Sequence, residues 1–230
     1  MKRYLITGAS RGIGRSIAEK LAAEDVTLLL HGRDTVALAE VCKAVKPRCE
    51  GVVRLIHDLA IKAGISDLIA AVGSDPLDLL VNNAGIAIVK PFGEITPVEW
   101  EQTLGVNVTA PFLLTQRFAP KMPPGASIVN ILSIAAKTGF PNWSAYCMSK
   151  FALEGFSQSV REELREHKIR VINIYPAATD TSIWNNLEGD WPREKMISPN
   201  DVASAVAYAL SQPAEVALEN ISLSNLTGNL

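Results

Sequence analysis

Seven short segments rich in Val, Ile and Leu, none with strict polar alternation, constrain the fold of this chain more than any other feature. They cover 4–7, 26–30, 51–56, 77–81, 127–132, 169–174 and 220–223. Strands that are apolar on both faces must be covered on both, the condition of a parallel sheet buried between helices. Between them, 12–23, 35–45, 97–119, 144–167 and 200–211 carry apolar residues at helical spacing. The alternation predicts an α/β, three-layer, doubly wound, mostly parallel seven-stranded sheet in one domain over 1–230.

Composition narrows the function classes. With 22 Lys+Arg against 24 Asp+Glu and a net charge of −2, no block of like charge marks a nucleic-acid or anionic-lipid surface. Cys42, Cys49 and Cys147 are odd in number and lack CxxC pairing, which suits a reducing, cytoplasmic setting. No apolar stretch reaches the length of a membrane span, and Met1-Lys2-Arg3 runs straight into YLITGAS, so neither a membrane anchor nor a signal peptide is expected. His31, His57 and His167 have no ligand spacing, and no metal is expected. Tyr175 and Cys147 read as packing residues.

TGASRGIG, Thr7 to Gly14, follows the first strand and opens a helical run. Glycines at Gly8, Gly12 and Gly14 in that context let the backbone turn tightly and approach a pyrophosphate at the helix N-terminus. The alternative is a glycine turn needed only for packing; the first βα connection of a doubly wound sheet favours dinucleotide binding. Where NAD sites place a carboxylate, at the end of the second strand, this chain has His31-Gly32-Arg33. Arg33 can fork onto a 2′-phosphate with Arg11 as a second cation, so the expected cofactor is NADP(H). Asp34 reads as the cap of the next helix.

Tyr146 and Lys150 lie four apart, on one helix face. Bringing a phenol from its usual pKa of about 10 to about 7 takes roughly 4 kcal/mol, which a unit charge about 4 Å away supplies at an effective dielectric of about 20. Ser133 follows the fifth strand, at the carboxyl ends where such sheets bind ligands; it reads either as a substrate hydrogen bond or as a turn cap. With these residues in order, and with NNAG at Asn82 to Gly85 and Asn107 in GVNVTAPF, the chain resembles the short-chain dehydrogenase/reductase family, single-domain NADP(H)-type branch, over nearly its whole length. The 13-residue step from Ser133 to Tyr146 fits too.

That resemblance implies a Rossmann-like oxidoreductase moving a hydride between NADP(H) and a small-molecule carbonyl or secondary alcohol. Tyr146 would be general acid in reduction and base in oxidation, assisted by Lys150, with Ser133 polarising the carbonyl and Asn107 holding a relay water. Cofactor contacts would come from Gly8, Ser10, Arg11, Gly12, Ile13, Gly14, Arg33, Asp58, Leu59, Asn82, Ala84, Gly85, Tyr146, Lys150, Pro176, Thr179 and Thr181. Asp58 reads equally as a helix N-terminal acid. The family pairs its long helix, here 144–167 with Phe151, Leu153, Phe156 and Val160, so a homodimer or homotetramer is expected.

Two departures stand out. Pro176 is followed by Ala177 where the family has Gly, and Ala takes a positive φ less cheaply. The ending ENISLSNLTGNL lacks the Asp-Gly-Gly of acyl-carrier-protein ketoreductases, which weighs against a 3-oxoacyl-acyl-carrier-protein reductase. A nucleotide-sugar epimerase would usually carry a large C-terminal substrate domain, and a non-catalytic NADP(H) sensor would usually lose Tyr146 or Lys150. The stretch 177–199, with Trp184 and Trp191 among Asn185, Asn186, Glu188, Asp190, Arg193, Glu194 and Lys195, is either a substrate lid or a surface excursion. Substrate contacts are expected from Ile86, Ala135, Trp143 and Trp184, although both Trp could equally be core.

Overall fold

The computed structural model describes residues 1–187 and 189–226; Glu188 and the last four residues of the ENISLSNLTGNL ending lie outside it. The strands are β1 (Lys2–Ile6), β2 (Val26–Gly32), β3 (Gly51–Ile56), β4 (Leu79–Asn82), β5 (Ser127–Ile131), β6 (Arg170–Pro176) and β7 (Asn220–Leu223). They form one sheet in the order β3-β2-β1-β4-β5-β6-β7, and every pairing in it is parallel. Consecutive residues serve opposite faces. Ile6, Leu79 and Val81 join a core with Ile17, Leu38 and Val206, whereas Leu5 and Leu80 join the other with Leu68, Leu114 and Phe118.

The helices are α1 (Gly12–Leu21), α2 (Thr35–Val45), α3 (Lys62–Val72), α4 (Pro97–Leu104), α5 (Ala110–Phe118), α6 (Ser144–Arg165) and α7 (Pro199–Leu210). Two differ from expectation. α3 was not expected, although Ile65, Leu68, Ile69 and Val72 recur at helical spacing; its N-cap residue, Ile61, offers no capping side chain, so the usual start signal is missing. The single helix expected over 97–119 is divided by a π-turn, Gly105–Thr109, in which the Ala110 amide donates to Gly105 O. Such turns re-aim side chains and are common at functional sites, and this one carries Asn107.

Ala177 causes no strain, because among the described non-glycine residues only Asn142 and Lys168 have positive φ. Its amide instead donates to Leu223 O at 2.8 Å. Tyr175 does more than pack. Its hydroxyl hydrogen-bonds the Glu154 carboxylate and Asn220 Oδ1, and Glu154 in turn meets Lys137 Nζ at 2.8 Å. The chain order gave no sign that 137, 154 and 175 would meet beneath α6.

Candidate active site

The strand order reverses between β1 and β4, and a cleft opens at their carboxyl ends, where doubly wound sheets bind ligands. Thr7, at the end of β1, ties its floor: Oγ1 donates to Val81 O at 3.1 Å and accepts the Asn83 and Ala84 amides at 3.0 Å each. Asn83 Nδ2 donates back to Thr7 O at 2.8 Å and Gly8 O at 3.1 Å. The glycine turn is thereby clamped against the segment after β4, leaving no space for side chains. Gly8 has φ +66°, and a Cβ on Gly14 would stand 2.2 Å from Gly8 O.

No side chain caps α1, in contrast to α2, where Asp34 accepts the Val36 and Ala37 amides at 3.1 and 3.0 Å. The N-terminus of α1 is therefore open to an anion from the cleft. The cleft, about 1520 Å³ out to its open mouth, is lined by Gly8, Ser10, Arg11, Gly12, Ile13, Arg33, Asp58, Leu59, Ala84, Gly85, Ile86, Tyr146, Lys150 and Thr181. Asn82, expected at the cleft, is buried and donates to Asn130 Oδ1 at 2.8 Å, whereas Asn83 is in the lining. Gly14 stands behind the lining as a packing glycine. Leu59 is almost wholly core.

Arg33 has a neighbour that the sequence did not reveal. Asp58, from the far side of β3, brings its carboxylate within 3.7 Å of the guanidinium, a loose and exposed pair, while Asp58 also accepts the Ala60 amide at 3.0 Å. Asp58 therefore lines the cleft and closes a turn ahead of α3, outside the first turn of that helix, whose N-cap is Ile61. His31, expected to carry nothing, accepts the Gly8 amide on Nδ1 at 3.4 Å and holds its other ring nitrogen 3.0 Å from His57 O. Donation to a carbonyl places the proton on Nε2, so the neutral imidazole joins the glycine turn to the β3 loop. Burial pushes its pKa down to about 4.

Asn107 is buried, and its amide is committed. Oδ1 accepts the Ile86 amide at 2.9 Å, and Nδ2 donates to Ile86 O and to Ser149 Oγ at 2.9 Å. Ser149 Oγ then donates to Tyr146 O at 2.7 Å. Both Nδ2 protons are used, and the side chain ties the backbone at Ile86 to the first turn of α6.

Tyr146 and Lys150 share the expected face of α6, with Nζ 5.6 Å from the centre of the phenol ring and donating to Ile131 O at 2.8 Å. Burial pushes the phenol up to about 12, the Ser133 hydrogen bond opposing it, and brings Lys150 down to about 8. Desolvation dominates both shifts, and the Lys150 ammonium is turned towards the Ile131 carbonyl. Ser133 Oγ also accepts the Ala135 amide at 3.1 Å, so it caps a turn while facing the phenol.

A second cavity, about 850 Å³ and also open to solvent, meets the first at Tyr146 and is lined by Ser133, Ala135, Trp143, Pro176, Ala177, Thr179, Thr181, Trp184 and Trp191 among others. Pro176 and Thr179 therefore sit here rather than in the glycine-turn cleft, and Thr179 Oγ1 is already bonded to Ala177 O. Trp143 and Trp184 line this cavity, and one of its walls is made by residues of the 177–199 stretch, among them Ala178, Ile183 and Trp191. Among the described residues no cluster of His, Cys, Asp and Glu could hold a metal ion, and no helix is long and apolar enough to cross a membrane.

The class defined by this sheet and this pair of cavities is confirmed by comparison: the family model for short chain dehydrogenases matches residues 2–191, and the chain belongs to that family. An uncharacterized oxidoreductase of Staphylococcus saprophyticus is 33% identical over 227 residues, 96% of each chain. The sepiapterin reductase of Chlorobaculum tepidum is 30% identical, covering 98% of this chain and 97% of its own. Among solved structures, an angucycline C-6 ketoreductase with bound NADP superposes with a TM-score of 0.86 at 29% identity, covering 99% of this chain and 96% of the other.

Proposed function

We propose that this protein is an NADP(H)-dependent reductase of ketones or aldehydes, and that Tyr146 is its proton donor. The observation that carries the reading is that Tyr146 lines both cavities, so one phenol faces a glycine-turn cleft and an apolar pocket at once. The cleft fits a dinucleotide: the clamped glycines bring backbone to its floor, the uncapped α1 faces it, and Arg11 and Arg33 stand at its rim. Arg11 and the α1 amides would hold pyrophosphate, Arg33 a 2′-phosphate, and Lys150 a ribose. When bound, NADPH supplies the hydride.

The chain's own groups do the rest. Ser133 hydrogen-bonds the substrate carbonyl oxygen and Tyr146 protonates it as the carbon receives hydride, so the C=O π bond is replaced by C–H and O–H bonds. As a phenol Tyr146 is protonated at neutral pH, so it holds the proton that the reduced carbonyl oxygen takes up. Asn107 acts as a positioning residue through Ile86 and Ser149. Exposed Phe112 and Phe151, on α5 and α6, support self-association through this face as a homodimer or homotetramer.

The test is isotopic. With NADPH carrying deuterium at C4 and a panel of ketones and aldehydes, the product alcohol is expected to carry deuterium on the carbinol carbon. A protein that binds NADPH yet forms no labelled alcohol across the panel overturns the reading.

A further inference from the structure

We infer that the second cavity selects uncharged carbonyl compounds whose carbonyl is borne on a flat aromatic ring; this rests on the reading that Tyr146 protonates a bound carbonyl. Trp143 abuts the Tyr146 ring at 5.5 Å, Trp184 stands 5.8 Å and Trp191 6.1 Å from Trp143, and Trp184 and Trp191 are 4.9 Å apart. The rings form a continuous aromatic wall from the proton donor outwards. Phe140 and Ile134 also line the cavity, and among the described residues no charged side chain does.

Its polar groups are asymmetric. Ser133 and Tyr146 gather at one end, and Thr179 Oγ1 is engaged by Ala177 O. Away from that end the polar side-chain atoms include the Thr181 hydroxyl and Trp191 Nε1, a buried donor without a partner among the described residues, so a ligand that fits puts its acceptor at the Tyr146 end and mainly apolar surface along the rings. A carboxylate carried on that surface would lose its water without gaining a partner.

The wall is built before any ligand arrives. Trp184 Nε1 donates to Thr179 O at 2.8 Å. The Ile197 amide donates to Ala178 O at 3.0 Å, and the Asp180 amide to Ile197 O at 2.9 Å. Arg193 clamps the same segment, with Nε on Asp180 Oδ1 at 2.6 Å and a second nitrogen on Thr181 O at 2.8 Å. The Arg193 guanidinium is thus spent on holding the excursion, not offered to a substrate anion. A rigid aromatic wall costs little ordering on binding and rewards offset or edge-on ring contacts.

The experiment titrates the NADP⁺-loaded protein with acetophenone, cyclohexyl methyl ketone and 4-acetylbenzoate, following tryptophan fluorescence and binding heat, then measures NADPH turnover on the same set. Acetophenone is expected to bind about tenfold more tightly than the saturated ketone and about a hundredfold more tightly than the carboxylate. Trp184→Leu should erase the preference for the aromatic ring, Trp184→Phe should keep it, and NADP⁺ affinity should not change in either. Equal binding of the saturated or the charged ketone overturns the inference and leaves the reductase reading standing. Selective binding of acetophenone without reduction of any ketone overturns the reductase reading and leaves the pocket assignment standing.

Discussion

His31 should make the glycine turn sensitive to acid, with a magnitude that follows from its surroundings. The imidazole is 2% exposed, accepts the Gly8 amide and has a pKa lowered from 6.5 to about 4 by burial. The unfolded chain therefore binds a proton in the window between about 6.5 and 4 that the folded chain refuses, and stability falls as pH drops through it. The shift is worth roughly 3 kcal/mol, of which about 2 kcal/mol is lost between about pH 7 and about pH 4.5. Protonation also takes away the lone pair that receives the Gly8 amide, so affinity for NADPH should fall over the same range. The assay is denaturant unfolding at both pH values for wild type and His31→Gln, with NADPH affinity measured alongside. The variant should be less stable at neutral pH but lose about 2 kcal/mol less than wild type on acidification, carboxylate titrations being common to both. Equal losses in the two proteins would refute a neutral, buried His31.

Gly14→Ala should cost about 3 kcal/mol of stability and most of the NADPH affinity, because the new Cβ meets the Gly8 backbone O at 2.2 Å and the clamping Asn83 Nδ2 at 2.4 Å; thermal unfolding with and without NADPH checks it. Arg33→Ala should weaken NADPH by about tenfold to a hundredfold and leave NADH unchanged, since it removes the guanidinium and frees the Asp58 carboxylate 3.7 Å away; paired cofactor titrations decide. Lys150→Met should abolish turnover yet raise stability at neutral pH by about 1–2 kcal/mol, the relief of a buried charge exceeding the lost bond to Ile131 O. Because its pKa is lowered to about 8, wild type should close that gap as pH rises from about 8 towards 10.5.

Much of the fold was legible in the sequence, and the reason is local. Strands apolar on both faces announce a sandwiched parallel sheet, and all seven lie close to where the hydropathy placed them. The glycine turn, the Asp34 cap and the Tyr146–Lys150 face are short-range features, and each is set by residues within a turn or two of one another. α3 was missed because Ile61 offers no capping side chain, and the π-turn at Gly105–Thr109 because one extra residue per turn leaves no mark on a hydropathy pattern.

What the sequence withheld depends on residues distant along the chain. Asp58 approaches Arg33, His31 reaches Gly8, and Asn83 rather than Asn82 holds the turn; each follows from the registers of β1, β2, β3 and β4. The phenol's pKa could not be anticipated either, since the four-residue spacing supplies a nearby lysine but says nothing of how far both groups are stripped of water. Three of the aromatic rings beside Tyr146, spread over positions 143–191, meet only once the excursion folds back over α6.

Tyr146→Phe tests the central claim most directly, with NADPH affinity and the rate of ketone reduction measured on the same preparation as wild type. The substitution removes one hydroxyl and leaves the ring against Trp143, so binding of NADPH should be unchanged while reduction falls by at least about a hundredfold, the usual contribution of a positioned general acid. Reduction by the Phe variant within a few-fold of wild type would contradict Tyr146 as the proton donor.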